Sequence, residues 1–218
     1  MDITCISDLH GHYPQLEGGN LLIVAGDLTA RDDDYEYWQF NKWIKDQAYE
    51  YEKVIVIAGN HDNLLIQTPN RHMAHVYCHP AEYLCDSGTD FEGLKIWGTP
   101  WTKTFEGMNP HCKAFTFDTE EELAEKWKLI PDNTDILVTH SPPYGILDKT
   151  IFNERVGSKS LSHKIGLNDN PPKLWVWGHI HEAYGKDLPV RGKNCIMVNA
   201  SHVNEFYKPV NHPVRIIL

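Results

Sequence analysis

Five short apolar runs, each followed at once by polar residues that bind metals or turn the backbone, constrain this chain more than any other feature. The runs are residues 3–7, 21–25, 54–58, 136–139 and 174–177. Continuous apolar, β-branched runs of this length are typical of strands buried on both faces. The residues that follow them are mostly Asp, His, Asn and Gly, and α/β proteins build their active sites at the carboxyl ends of such strands. The pattern therefore predicts an α/β fold with one site at the strand ends.

Helical patterns lie between the predicted strands. Residues 35–51 carry apolar side chains at helical spacing, and a weaker helix is indicated over residues 158–165. Thr119 and Glu122 form a capping box that opens a third helix, which Pro131 stops. Residues 195–198 and 214–218 return to strand character. The alternation predicts two sheets packed together with helices outside, and the absence of a linker or repeat predicts a single domain over residues 1–218.

Composition excludes several classes of function. The formal net charge is −10 and no basic block is present, which argues against a long nucleic-acid partner. The five cysteines are odd in number and scattered, as expected of reduced thiols. Apolar runs fall far short of the ~20 residues that span a bilayer, and the first residues do not resemble a signal peptide. We therefore expect a cytoplasmic protein with no membrane partner.

The polar residues after the runs suit a pair of metal ions. They are Asp8, His10, Asp27, Asn60, His140, His179 and His181. Asp8-x-His10 places two side chains on the same side of an extended segment, and His179-x-His181 does the same with two imidazoles. Two divalent ions ~3.5–4 Å apart can clamp phosphate oxygens and lower the pKa of bound water. Mixed nitrogen and oxygen ligands favour manganese, iron, zinc or cobalt over calcium or magnesium.

In this order the motifs D-x-H, G-D, G-N-H-D, H and G-H-x-H resemble the signature of the calcineurin-like metallophosphoesterase family. Residues 98–101, 134–143, 178–185 and 199–201 are similar to its metallophosphoesterase-domain branch, which is related to class III cyclic nucleotide phosphodiesterases. The resemblance covers nearly the whole chain. It implies a four-layer α/β/β/α sandwich with a dimetal site at the carboxyl ends of the strands.

The resemblance also implies a role for each site residue. It assigns one metal to Asp8, His10 and His181, the second metal to Asn60, His140 and His179, and the bridge between them to Asp27. It implies that a hydroxide bridging the metals attacks phosphorus and that His61 protonates the leaving group. Asp62 is expected to orient His61 through the second ring nitrogen. Two divalent ions are implied as cofactors, manganese first, with iron, zinc, cobalt or nickel as alternatives.

The leading functional hypothesis is hydrolysis of a small phosphodiester, with cyclic nucleotides as the foremost class. One alternative is a phosphomonoesterase acting on a nucleotide or phosphoprotein, which an extra cation near the metals would favour. A non-catalytic binding module with the same fold is the other. The preference between 2′,3′- and 3′,5′-cyclic phosphates, the native metal and the oligomeric state are not predicted by the sequence.

Two local patterns have competing interpretations. Histidines and cysteines at His72, His75, Cys78, His79, Cys85, His111 and Cys112 have zinc-ligand chemistry, but their spacing matches no zinc motif. Trp101 either packs in the interior or borders the pocket, where its ring would stack on a base. Five other tryptophans are expected in the core: Trp38, Trp43, Trp127, Trp175 and Trp177.

Overall fold

Thirteen strands and five helices appear in the part of the chain that the structure, a computed structural model, describes: residues 1–66, 72–104, 107–166, 168–187 and 194–218. The strands are β1 (Asp2–Ile6), β2 (Gly19–Ala25), β3 (Tyr51–Ile57), β4 (Glu82–Tyr83), β5 (Ser87–Phe91), β6 (Leu94–Thr99), β7 (Thr102–Lys103), β8 (Thr116–Phe117), β9 (Ile136–Thr139), β10 (Leu174–Trp177), β11 (Gly185–Asp187), β12 (Ile196–Asn199) and β13 (Val214–Ile217). The helices are α1 (Asp34–Glu50), α2 (Asn63–Ile66), α3 (His72–Cys78), α4 (Glu120–Trp127) and α5 (Lys159–Gly166), with a 3₁₀ turn at His181–Ala183.

Two sheets carry most of the strands. The first has the order β13-β1-β2-β3-β4, with only β13 antiparallel to its neighbour. The second has the order β11-β12-β10-β9-β6-β5, in which β12, β10, β9 and β6 are parallel and the two edge strands antiparallel. Parallel strands of a sheet end at the same edge, so each sheet collects several carboxyl ends at one place.

The two sheets pack face to face. Alternate residues of β1, β2 and β3, such as Ile23 and Ile55, form one apolar cluster with Val138 and Val176 of the second sheet. The opposite face of the first sheet packs against α1 and α3, and that of the second sheet against α4 and α5. The predicted four-layer α/β/β/α sandwich is thus confirmed, because every strand run is buried on both faces as its continuous apolar sequence indicated.

The predicted helices occur close to their expected positions. Thr119 caps α4, and its capping box with Glu122 is formed in both directions. The tryptophan prediction is wrong for Trp38, which is 58% exposed on the outer side of α1. The short helix α3 and the β5–β6 hairpin were not predicted. In the described residues no helix combines the length and apolar character needed to cross a membrane.

Candidate metal centre

All seven predicted ligands lie just beyond the carboxyl ends of five parallel strands. The first sheet supplies Asp8 and His10 after β1, Asp27 after β2 and Asn60 after β3; the second supplies His140 after β9 and His179 and His181 after β10. The sheets meet at this edge, where Ser7 N–H donates to Ala200 O at 2.9 Å and His202 N–H donates to Ser7 O at 2.7 Å. The site is therefore built across both sheets.

Four of these seven residues have left-handed backbones. The φ angles are +51° at Asp8, +42° at His10, +52° at Asp27 and +69° at His179. Residues with a Cβ avoid this region, at a cost of roughly 1–2 kcal/mol each. The chain turns sharply as each strand ends, and the surrounding contacts hold the turns against that cost. Backbone strain of this kind is thus present at four of the seven predicted ligands, and also at residues elsewhere, such as Asp86 and Glu92.

Three glycines leave the room that these side chains occupy. A Cβ at Gly59 would lie 2.2 Å from Asp27 Oδ1, and one at Gly178 would lie 2.0 Å from Asp8 Oδ2. A Cβ at Gly26 would lie 2.6 Å from His140 Nδ1. The glycines of the G-D, G-N-H-D and G-H-x-H motifs are therefore required by close packing against the ligands.

One group of side chains converges around the end of β1. Asp8, His10, Asp27 and His181 each offer a ligand atom, and these atoms all lie within 4.8 Å of one another. His10 Nε2 lies 3.2 Å from His181 Nε2 and 3.6 Å from Asp27 Oδ2, and His181 Nε2 lies 3.2 Å from Asp8 Oδ1. All four residues are buried. Carboxylate oxygens and imidazole nitrogens that point at a common centre form a donor set for a divalent transition metal.

A second group adjoins the first through Asp27. His140 Nε2 lies 3.4 Å from Asp27 Oδ2 and 3.1 Å from Asn60 Oδ1. The ring of His179 lies 5.1 Å from that of His140, centroid to centroid. The backbone N–H of His179 donates to both oxygens of Asp8 at 3.0 Å, which links the two groups again. Asp27 thus lies between the two groups of the predicted ligand set.

Backbone carbonyls orient two of the imidazoles. His140 Nδ1 donates to Ala25 O at 2.9 Å, and His181 Nδ1 donates to Asn204 O at 3.2 Å. A carbonyl can only accept, so each Nδ1 carries the proton and each Nε2 faces the cluster. This is the usual arrangement behind metal-binding histidines.

Electrostatics keep both carboxylates of the cluster ionised. Burial alone would raise the pKa of Asp8, but its hydrogen bond with His181 and the charges of His181 and His140 outweigh burial and lower that pKa. For Asp27, burial is likewise outweighed by the charges of His140 and His61, so the pKa lies well below its ordinary value. Negative charge is therefore retained in the interior where the two groups meet.

The four histidines with shifted pKa values in the ligand set form two pairs, one with lowered and one with raised pKa. Burial lowers the pKa of His10 and of His179 to about 3 each, so both are neutral. Burial also disfavours charge on His140 and His181, yet Asp27 raises the pKa of His140 to about 9 and Asp8 raises that of His181. Protons on these two histidines balance the carboxylates, and metal ions displace protons of this kind when they bind. The donor set therefore fits divalent cations.

His61 faces Asp27 from the more accessible side. Its backbone N–H donates to Asp27 Oδ1 at 2.9 Å, and its Nε2 lies 4.0 Å from Asp27 Oδ2. The side chain is 14% exposed, against 1% for His10 and none for His140. Its Nδ1 lies 3.4 Å from Cys112 Sγ.

The prediction that Asp62 orients His61 is wrong. The Asp62 carboxylate turns into the interior, where it accepts from Gly59 N–H at 2.7 Å and from Leu28 N–H at 3.1 Å. Tyr37 OH also donates to it, at 3.3 Å. Burial raises the pKa of Asp62 well above its ordinary value, and the Asp27 carboxylate adds to the shift. Asp62 therefore holds the loops that carry Asp27 and Asn60, and the side chain beside Nδ1 of His61 is that of Cys112.

Residues near the carboxyl end of the chain complete the site and were missed as contributors. Ser201 Oγ donates to Asp8 Oδ2 at 2.8 Å and to Asn199 Oδ1 at 2.8 Å. The Tyr207 ring lies 4.8 Å from that of His10 and 5.1 Å from that of His181. Burial raises the pKa of Tyr207 to about 12, with the Asp27 charge adding to the effect.

The metal-ligand groups border a cleft of about 1010 Å³. Its wall contains His61, His179 and Tyr207, together with residues of the segment between β9 and α5. Its wall also contains three cationic and three anionic side chains: Lys103, Arg155 and Lys159, and Glu120, Glu154 and Glu182.

Within the residues that it describes, the structure supports neither a separate zinc site among the central histidines and cysteines nor a position for Trp101 at the pocket. Asp8, His10, Asp27 and His181 are the only cluster of three or more acidic, histidine or cysteine side chains found with metal-ligand geometry in the described ranges, and the His75–Cys112 region contributes none. The side chain of His72 lies outside the described residues. Trp101 donates to Asp86 at 2.8 Å and stacks on Phe117, and it does not border the cleft.

Comparison with known proteins identifies the class. Residues 1–183 match the family described as Calcineurin-like phosphoesterase, so the chain belongs to that family. Members of the family are phosphoric ester hydrolases with a dinuclear centre of divalent metals, and the resemblance drawn from the motifs is confirmed.

Particular relatives extend the likeness over the full chain. Metallophosphoesterase domain-containing protein 1 of Homo sapiens and that of Mus musculus are each 35% identical over 242 residues, covering 99% of this chain and 70% of theirs. One crystal structure superimposes with a TM-score of 0.67 at 16% identity, covering 94% of this chain and 91% of its own. TT1561 of Thermus thermophilus gives 0.58 at 17% identity, covering 91% and 88%. At such identities the structural likenesses support the fold alone.

Proposed function

We propose that this chain hydrolyses small phosphodiesters at a two-metal centre, with cyclic nucleotides as the leading substrate class. The observation that carries the proposal is the convergence of buried ligand atoms on both sides of the Asp27 carboxylate, with His61 Nε2 4.0 Å away on the cleft side. Such an arrangement can bind a phosphoryl group and supply a proton beside it.

Each metal has its own set of residues in this proposal. Asp8, His10 and His181 would hold one ion, Asn60, His140 and His179 would hold the other, and Asp27 would contribute to both. When bound, two divalent ions stabilise the charge that develops on phosphate oxygens and lower the pKa of water towards neutrality. Manganese is the ion we propose first, with iron, zinc, cobalt or nickel as alternatives, because the donor set mixes imidazole with carboxylate and amide oxygen.

His61 is proposed to act on the leaving group. As an imidazolium it donates a proton to the departing alkoxide oxygen, which otherwise leaves as a strong base. The hydrogen bond from its backbone to Asp27 fixes its distance from the centre, and the neighbouring Cys112 Sγ, 3.4 Å from Nδ1, limits rotation of the ring.

The charges of the cleft favour diesters over monoesters. A monoester carries one more negative charge, so it calls for additional cations beside the metals. Arg155 is already paired with buried Asp148 at 2.8 Å. The other cations, Lys103 and Lys159, share the wall with carboxylates such as Glu120. The wall is nearly neutral, which suits the single negative charge of a diester.

A substrate panel tests the proposal. Metal-free protein reconstituted with Mn²⁺ would be assayed on bis-p-nitrophenyl phosphate, p-nitrophenyl phosphate, and 2′,3′- and 3′,5′-cyclic nucleotides. We expect diesters to turn over well above the monoester, and a chelator to abolish the activity. Turnover of the monoester alone would replace the proposal with a phosphomonoesterase. An inactive protein with every metal would favour a non-catalytic binding module.

The state of the cysteines supports our proposal of a cytoplasmic location. None of the five cysteines forms a disulfide, and all of them are buried: Cys5, Cys78, Cys85, Cys112 and Cys195. Burial raises the pKa of the Cys195 thiol to about 12, as expected of unreactive core thiols. Cysteines that form no disulfides are typical of proteins that fold in a reducing compartment.

A further inference from the structure

An exposed phenylalanine stands at the tip of a short hairpin beside the cleft. Lys149 and Arg155 form an antiparallel bridge, and Thr150 N–H donates to Glu154 O at 2.9 Å. Phe152, near the turn, is 78% exposed. An aromatic ring this exposed contributes little to folding, because most of its apolar surface remains in water.

Hydrogen bonds fix the hairpin next to the segment that carries His181. Arg155 Nη1 donates to buried Asp148 at 2.8 Å, which closes the base of the hairpin. At the tip, Ile151 N–H donates to Glu182 Oε1 at 2.9 Å. Glu182 directly follows His181 in the chain, so the position of the tip is tied to a predicted metal ligand.

Phe152 and the metal centre border the same space. The cleft of about 1010 Å³ contains Phe152 in its wall together with His61 and His179. This space is far larger than a phosphoryl group requires and is comparable to the larger pockets that hold whole organic ligands. The organic part of an ester bound at the metals would therefore extend along a wall that contains the exposed ring.

We propose that Phe152 is the platform of a subsite for a planar ring in the organic part of the substrate, a nucleobase or a ring of similar size. This inference rests on the proposed function. A planar ring fits better than an aliphatic chain, since the same wall carries Thr102, Lys103 and Lys159, which suit polar ring edges and not hydrocarbon. Stacking on an aromatic side chain accepts any base, because every base has a π face.

Two esters that differ only in the base test the subsite. They are 2′,3′-cyclic AMP and methyl riboside 2′,3′-cyclic phosphate, which keeps the reacting ester and the alkoxide leaving group. With Mn²⁺-loaded wild-type protein we expect kcat/KM to be at least about tenfold higher for cyclic AMP, the size of one stacked ring. Phe152→Ala should bring the ratio close to one while leaving the abasic ester unchanged, and Phe152→Trp should keep the ratio high.

Ile151→Ala is the matched control. Ile151 is 61% exposed in the same hairpin but does not border the cleft, so its loss should not change the ratio. A ratio that survives in Phe152→Ala, or that falls equally in Ile151→Ala, would overturn the subsite while the diesterase activity stands. If the wild type hydrolysed neither ester, the proposed function itself would fail for cyclic phosphates, and the subsite with it.

Discussion

Asp27 is the residue on which the two ligand groups and the proposed acid meet. Its Oδ2 lies 3.6 Å from His10 Nε2, 3.4 Å from His140 Nε2 and 4.0 Å from His61 Nε2. Its Oδ1 accepts the His61 backbone N–H. A single carboxylate in this position can bridge two cations and fix the distance from both to the proton donor. The role of each neighbouring residue can therefore be tested by measuring bound metal and the rate of hydrolysis separately in its variant.

His61→Ala should lower the rate of ester hydrolysis without lowering the amount of bound metal. We expect kcat for a cyclic or alkyl diester to fall about 100-fold or more, because the alkoxide loses its proton donor. The loss should be much smaller for bis-p-nitrophenyl phosphate, whose leaving group departs without a proton. Steady-state kinetics on both esters, with bound metal measured by elemental analysis, would check this. His111→Ala, an exposed histidine in the neighbouring loop, should match the wild type; equal losses on both esters would remove His61 from the proton-transfer role.

Gly59→Ala should damage the metal centre through packing alone. The added Cβ would lie 2.2 Å from Asp27 Oδ1 and 2.7 Å from His140 Cε1, so both ligands must shift. Overpacking of this kind costs roughly 1–3 kcal/mol and should also lower the bound metal. Urea unfolding and metal analysis would measure both effects. At Gly166, where a Cβ meets nothing within 4 Å, the same substitution should leave metal content intact, and a Gly59→Ala protein with full metal content would contradict the packing argument.

At the scale of elements, Glu120 joins the two helices that cover the second sheet. It lies in the first turn of α4, and its carboxylate accepts from Ser160 N–H at 2.9 Å, Ser160 Oγ at 2.6 Å and Ser158 Oγ at 3.0 Å at the start of α5. Burial opposes its ionisation, but these hydrogen bonds outweigh burial and lower its pKa. The carboxylate thus stabilises the helix pair when it is ionised.

Glu120→Gln should destabilise the protein in a pH-dependent way. The folded-state pKa is lower than the unfolded value of about 4.3, so the stabilisation is present above that pH and is lost as pH falls through the folded pKa. We expect a deficit of about 1 kcal/mol in the free energy of unfolding at pH 7 that shrinks below about pH 4. Urea unfolding at several pH values would measure it. Glu121→Gln, exposed in the same turn, should show no deficit, and a Glu120→Gln deficit independent of pH would rule out the charge.

Elements with strong local signals could be predicted from the sequence, and weak ones could not. The five buried strands are continuous apolar runs, and α4 begins with a capping box, so pattern and structure agree. The β5–β6 hairpin was missed because its turn residues, Glu92 and Gly93, both have positive φ, at +47° and +77°. Asn or Asp usually precedes Gly in such turns, and Glu gives no turn signal. The helix α3 was missed because it has only seven residues, so the apolar spacing of Ala74, Tyr77 and Cys78 covers too short a window to indicate a helix.

The site was predictable to the extent that its residues follow strands. Seven ligands could be grouped because parallel strands end at one edge of a sheet. Tyr207 comes from the carboxyl-terminal region, and no local pattern connects it with the site. Ser201 lies just beyond the predicted strand over residues 195–198, but a serine is not a typical metal ligand, so its hydrogen bond to Asp8 was not predicted. The direction of Asp62 was also not readable, since adjacency to His61 does not determine where a side chain points in a tight turn. Contacts between distant segments determine these positions.

At the scale of the whole molecule, the metal centre joins the two sheets. Asp8 and Asp27 follow strands of one sheet, and His140 and His181 follow strands of the other. Bound ions would link these strand ends directly, whereas the metal-free protein relies on hydrogen bonds and ion pairs such as His181 with Asp8. Metal binding should consequently stabilise the entire sandwich.

Mn²⁺ should raise the Tm of the wild-type protein. A ligand at about 100 times its Kd adds about 2.7 kcal/mol, which corresponds to roughly 5–10 °C for a chain of this size. Thermal unfolding with Mn²⁺ and then with excess chelator would measure the shift and its reversal. Asp27→Asn, which removes the bridging charge, should lose most of the shift. A Tm that Mn²⁺ leaves unchanged in the wild type would mean that the converging side chains do not form a metal centre.

The most direct measurement is a titration of metal-free protein with Mn²⁺, in which hydrolysis of bis-p-nitrophenyl phosphate and the number of bound ions are followed together. We predict no activity without metal and a rise in activity that reaches its plateau at two bound ions per chain. Full activity at one ion, activity that persists after all metal is removed, or no activity at two bound ions would contradict a two-metal phosphodiesterase.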